Sequence, residues 1–330
     1  MLSSLLASSS SEGLRIWEND SKNNLESKAS FLGTTGFSCL SWNHTNQVIA
    51  VGGKESNTIS LIQTSNGQLL STIPFALEQQ QTQGGGINTL SFSGNSRYLA
   101  SGQLNHVNLW DLKRRTLKVT FGEHKGKITA LSLVPETDLI AGDSAGSIRI
   151  WDVKCSKCVA EMVLHSVGVS CLEMSSMGPS RIYSGYEDGV LALWDFASKT
   201  VVRTQQVHAG GALCSLAISP KNSRLVATAG AADGRVCLID SNAPSAAEPS
   251  AQIDVGDKVT CISFHEESIN CAVGTLSGNI LIYDWRSVRR PLVQIEAAHG
   301  PISALSFQVV VLWYFYYRLD DICHKIINNK

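Results

Sequence analysis

With 330 residues, 43% of them hydrophobic and 17% charged, the chain is long enough to bury roughly 75% of the surface it would expose unfolded, which implies a globular protein in one large domain or two. A formal net charge of −1 excludes a global attraction to nucleic acid or anionic membrane and leaves electrostatic partnering to local patches. Nine cysteines, an odd number set in apolar stretches such as FSCLSW (37–42) and KVTCISF (258–264), read as reduced core residues rather than a disulfide framework.

The opening MLSSLLASSSSEG has no basic n-region and no apolar run of signal-peptide length. The longest apolar run, VVVLWYFYY at 309–317, is far too short to span a bilayer. A cytoplasmic protein is expected, in which the Asn43–Thr45 sequon is a glycosylation signal only in form.

In chain order, β-type runs occur at Gly13–Glu18 (GLRIWE), Thr58–Gln63 (TISLIQ), His106–Asp111 (HVNLWD), Ser147–Asp152 (SIRIWD), Val190–Asp195 (VLALWD), Arg235–Asp240 (RVCLID) and Asn279–Asp284 (NILIYD). Each follows a turn rich in Gly, Ser, Asn or Asp. Taking Trp17, Ile62, Trp110, Trp151, Trp194, Ile239 and Tyr283 as markers, the spacings are 45, 48, 41, 43, 45 and 44 residues. That period, with apolar-x-Trp-Asp endings, is the signature of propeller blades of four strands. Around Trp194 the four strands read VSCLEM, RIYSG, VLALWD and TVVRTQQ, from alternation and punctuation. No helical periodicity competes, so the chain is all-β.

Trp17 comes so early that only two strands, about Ser4–Ser8 and Gly13–Glu18, belong to the first unit before its turn. After the seventh unit, Ile302–Phe307 (ISALSF) reads as an inner strand with no blade of its own. The arithmetic closes if that strand completes blade one, which also removes free sheet edges.

These repeats resemble the WD-repeat propellers, a seven-bladed ring over about Leu5 to Gln308. The Trp-Asp pair is intact at Trp110-Asp111, Trp151-Asp152 and Trp194-Asp195, drifts at Trp17-Glu18, Ile239-Asp240 and Tyr283-Asp284, and is lost at Ile62-Gln63. The resemblance implies a buried hydrogen-bond chain within a blade, and in blade five its members are His165, Ser184, Asp188 and Trp194. Donor-only indole, hydroxyl, relaying imidazole and accepting carboxylate can all be satisfied together when buried. Blade five is expected to keep the full set. Blade six has His208, Thr228 and Asp233 with Ile239 in place of Trp, and blade four has His124 with Ala145 where the Asp belongs.

A hydrolytic reading of the same residues fails on local context, because Ser184 sits mid-strand and no GxSxG surrounds any serine. Cys155 and Cys158 have zinc-knuckle spacing without a second pair, and read as a tight turn with two thiols. The stretch Gln79–Asn88 has three glycines but lacks the Lys-Ser/Thr of a phosphate loop, and reads as a flexible surface loop. The inner strands supply Ser, Thr and Cys but only one acid, Glu173, to the central channel. No catalytic residue, metal, cofactor or small-molecule substrate is assigned, and the chain is read as a non-enzyme.

Function then belongs to the faces. The turns between first and second and between third and fourth strands emerge on one face and carry 13 of the 27 Lys and Arg, against Asp20, Glu136, Asp138, Glu266 and Glu267. Lys113, Arg114 and Arg115 (DLKRR), with Arg286, Arg289 and Arg290 (DWRSVRR), are the candidate contacts for an acidic protein partner. Nucleic acid fits less well, since aromatics are not interleaved with these charges.

LSWNHTNQVIAVGG with ISLIQTSNGQLLSTIPF in blade two, GNILIYDWRSVRRPLVQIEAAHGPISALSFQ at the end, and the entry directly at a second strand are similar to the propeller of the γ-tubulin-complex targeting family (neural-precursor-expressed, developmentally down-regulated, of animals and plants). That resemblance implies a cytoplasmic scaffold bringing γ-tubulin complexes to centrosomes, spindle poles or microtubules, the propeller handling localisation and a C-terminal helical region binding the complex. A WD-repeat adaptor for another assembly, such as a ubiquitin ligase, is the alternative. Residues 309–330 resemble neither a blade nor the family's linker. They start with valine, the residue an in-frame splice-donor GT encodes, so translation into a retained intron is expected there, with a genuine short tail as the alternative.

Overall fold

A computed structural model describes residues 4–19, 25–32, 36–53, 58–74, 85–134, 137–175, 180–244, 248–267 and 269–308. Its strands form seven four-stranded antiparallel sheets and no helix occurs among these residues. In blade five the strands are Val169–Met174, Arg181–Tyr186, Val190–Asp195 and Thr200–Gln206, within a residue or so of where alternation and turn chemistry put them.

The glycines of the turn between second and third strands show why the pattern repeats. Gly189 and Gly278 have φ of 82° and 89°. A Cβ at either would stand 1.8 Å from the carbonyl oxygen of His208 or 1.9 Å from that of Ala298. Only glycine meets both demands.

Closure follows the expected arithmetic. Ile302–Phe307 pairs antiparallel with Ser4–Ser10, setting Leu6 opposite Phe307 and Ser8 opposite Leu305. Gln308 N–H donates to Leu5 O at 2.9 Å. Arg15 bonds both Ala297 O and Glu12, whose carboxylate accepts His299 N–H at 2.7 Å, tying blade one to the chain leaving blade seven.

The apolar core is divided into seven clusters, each between two neighbouring blades. Trp194 packs between blades four and five, and Ile239 holds the same place between five and six. Drift from Trp to Ile keeps the position apolar with a smaller side chain and drops the indole donor. Eight free cysteines occur among the described residues.

At six of the seven junctions the inner strand, or the residue just before it, donates a side-chain bond to a carbonyl of the next blade. Ser38 donates to Ile87 O, Asn88 to Ile128 O, Thr129 to Val169 O, Ser170 to Leu213 O, Cys214 to Val259 O and Thr260 to Ile302 O. The small polar residues of the inner strands thus hold the ring together.

Candidate functional site

The hydrogen-bond chain expected in blade five is divided in two. Trp194 Nε1 donates to the wholly buried Ser184 Oγ at 2.8 Å. His165 does not reach Ser184. Its Nε2 lies 3.5 Å from Asp188 Oδ2, with both side chains about one-third exposed. The wedge is Tyr186, fully buried two residues after Ser184, against whose ring His165 packs edge-on. In blade six the corresponding residue is Gly230, and there the chain is made: His208 Nδ1 lies 2.8 Å from Asp233 Oδ2 and Nε2 lies 3.0 Å from Thr228 Oγ1. A Cβ at Gly230 would sit 2.5 Å from His208 Nδ1. Sequence reading missed Tyr186 because an aromatic in a strand reads as ordinary core.

Blade four departs differently. Its acid is not missing with Ala145. Asp143, on the preceding strand, accepts from Ser147 Oγ at 2.7 Å and lies 2.9 Å from His124 Nδ1, all three buried. Burial opposes ionisation of Asp143, but the His124 and Ser147 hydrogen bonds outweigh it and hold the carboxyl below its usual range. Burial likewise depresses the His124 imidazole despite Asp143. Ala141 stands where Ser8, Ser101 and Ser184 accept their blades' indoles, leaving Trp151 Nε1 and His124 Nε2 buried without a partner.

No cluster of three or more His, Cys, Asp or Glu able to hold a metal occurs among the described residues. Cys155 and Cys158 are both exposed, Cys155 on a tight turn with Ser156 at φ 57° and Cys158 in the strand that follows, Lys157–Val163, where partial desolvation raises its thiol. Asn43 is 8% exposed and braces its turn, accepting Gln47 and Val48 N–H groups at 3.0 Å. Glu173, in the inner strand of blade five, is solvent-accessible, yet desolvation by the protein around it pushes its carboxyl up to about 7. In the stretch Gln79–Asn88, residues 79–84 lie outside the described residues, and Ile87 and Asn88 already belong to the inner strand of blade three.

The basic turns fall into two groups. Lys113, Arg114 and Arg115 are exposed on blade three, and Arg286, Arg289 and Arg290 on blade seven. Blades one and two lie between them along the shorter arc of the ring, so they are separate patches on one face. Arg286 is held by Asp284 at 2.6 Å, which lowers that carboxyl and raises the guanidinium further. Arg97 pairs with Asp111 at 3.3 Å and Lys221 with Glu267 at 2.7 Å. Among the described residues, the side chains of Lys113, Arg114 and Arg115 form no ion pair. Of the acids expected to dilute the face, Asp20 and Glu136 lie outside the described residues, as do residues 309–330 with their apolar run.

No helix among the described residues is long and apolar enough to cross a membrane. The family profile described as Nucleolar protein 10-like, N-terminal domain, matches residues 135–312, and that of the WD domain, G-beta repeat, matches 77–111 and 115–152. The chain is 24% identical over 93% of its length to Protein NEDD1 of Homo sapiens, covering 46% of that protein, and 23% identical with the same coverage to Protein NEDD1 of Mus musculus. It spans about half the length of these relatives. Among solved structures, the Crystal Structure of Mitotic Checkpoint Complex contains a chain matching at TM-score 0.71 and 22% identity, over 82% of this chain and 80% of that one, a likeness of fold.

Proposed function

This chain belongs to the WD-repeat β-propellers, in the Nucleolar protein 10-like, N-terminal domain family, and we propose that it is a non-enzymatic scaffold that localises γ-tubulin complexes for microtubule nucleation and spindle organisation. The observation that carries this reading is similarity to Protein NEDD1 across 93% of the chain, far more than any single repeat spans. The stretches of blade two and the final closing segment noted above are where the chain is similar to the γ-tubulin-complex targeting family.

The propeller's part in such a scaffold is recognition. Two exposed basic patches on one face favour acidic protein partners, and the fold offers rigid turns on which to display them. The place of action under this reading is the cytoplasm, at spindle poles, centrosomes or microtubules.

Affinity purification of the tagged full-length chain from dividing cells, followed by identification of bound proteins, tests the reading. Recovery of γ-tubulin and its complex subunits, with the tagged chain at spindle poles, is expected. Recovery of ubiquitin-ligase subunits without tubulin-complex proteins would overturn it.

A further inference from the structure

The grooves between neighbouring blades are not alike. Between blades five and six, Arg203 reaches from the outer strand of blade five to the carbonyls of Asp240, Ser241, Ala243 and Pro244, leaving about 10 Å³ of free volume. Between blades three and four, Lys118 lies over the Tyr98 ring at 4.5 Å and donates to Val153 O at 3.1 Å. Both cations leave the outer strand beside its bulge: Arg203 is paired with Leu193, and Lys118 lies between the residues paired with Leu109 and Trp110.

In blade two the same two register positions are Ser71, paired with Leu61, and Leu70 at the bulge. Neither side chain is long enough to cross to blade three. A cleft of about 330 Å³ remains there, within the range of peptide- and ligand-sized sites. Leu61, Ile73, Phe92 and Leu112, each half-buried, make its apolar wall, and Leu70 stands half-exposed at its edge. Its base is fixed, since Ser96 Oγ accepts His44 N–H at 2.9 Å and links the turns of blades two and three.

Charge supplies the identity of the occupant. Arg115, at φ 56°, lines the cleft, with Lys113 and Arg114 beside it on the same turn. We propose that the cleft between blades two and three is a docking groove for an extended segment of a protein partner, apolar side chains seated on Leu61, Ile73, Phe92 and Leu112 and a following carboxylate on Arg115. The exposed edge of Leu69–Pro74 lets that segment lie alongside as an added strand. The proposal rests on the acidic-partner reading of this face and is independent of which complex the partner belongs to.

The test uses the full-length chain and an array of labelled ten-residue peptides. Each peptide has two adjacent Leu, Ile, Val or Phe followed within three positions by Asp or Glu, and a matched set carries Lys instead. Acidic peptides are expected to bind at least tenfold better than their lysine counterparts, measured by fluorescence anisotropy. Arg115→Glu should weaken them tenfold or more. Ser71→Arg, which places in blade two the cation that plugs blade five, should block them at unchanged thermal stability. Arg289→Glu with Arg290→Glu, on blade seven, should leave them unchanged. Binding that survives Ser71→Arg but is lost in the blade-seven variant overturns the cleft while keeping an acidic partner. No preference for acidic over lysine peptides overturns both. A concentration-dependent dimer abolished by Ser71→Arg would make a second copy the occupant, and also overturns the proposal.

Discussion

His165 packs edge-on against Tyr186, ring centroids 4.6 Å apart at 61°, and this contact keeps the imidazole from Ser184. One blade on, where Gly230 replaces the tyrosine, His208 joins Thr228 and Asp233 in one buried chain.

The two histidines should therefore differ in what they contribute. His208 is 1% exposed with both ring nitrogens engaged, so His208→Ala is expected to cost roughly 2 to 4 kcal/mol, from stranded Thr228 and Asp233 and the cavity. His165→Ala and Asp188→Ala, removing a long and partly exposed contact, should each cost less than about 1 kcal/mol. Urea denaturation of the three variants checks the ranking, and equal losses at His165 and His208 would contradict it.

Ala141→Ser should stabilise the protein. Blades one, three and five place a serine hydroxyl 2.8, 3.0 and 2.8 Å from the indole nitrogen, and in blade four both Trp151 Nε1 and His124 Nε2 lack that partner. A hydroxyl there accepts from the indole and meets the imidazole, for a gain of about 0.5 to 1.5 kcal/mol. An unfolding midpoint no higher than that of the parent chain counts against this.

Acid should weaken the ring in two stages. Burial lowers the imidazoles of His124, His106 and His265. A base depressed in the folded state stays neutral while the unfolded chain takes up its proton. The contribution is therefore whole above about pH 6.5 and declines as pH falls below it. Asp143 is also held low, so its contribution is present above about pH 3.9 and is lost as pH falls towards its folded value. Urea midpoints across pH 7.5 to 3 should show both declines, and a flat profile from 7.5 to 5 would sink the first.

Deleting Ile302–Phe307 should destabilise all seven blades together. The deletion uncovers the Ser4–Ser10 edge, removes Ile302, Leu305 and Phe307 from the core between blades seven and one, and takes away the Ser306 carbonyl that accepts Trp42 Nε1–H at 3.0 Å. The chain without this strand is expected to lose its cooperative thermal transition, and an unchanged transition would show that closure lies elsewhere.

What the amino-acid sequence determined by itself is what recurs locally. Glycines forced by positive φ, strand alternation and markers 41 to 48 residues apart fixed seven blades, and counting strands fixed how the ring closes. Even the Trp194–Ser184 bond follows from register within one sheet. Tertiary structure decided what depends on side-chain volume between elements distant in the chain. Tyr186 displaces His165, Asp143 takes the part that Ala145 could not, and Leu70 and Ser71 leave open a cleft that Arg203 and Lys118 fill elsewhere. The basic turns also had to be placed around the ring before Arg115 and Arg289, on one face, proved to belong to separate patches. Periodicity says which residues are equivalent, but whether equivalent residues meet is set by the volume and reach of whatever stands between them.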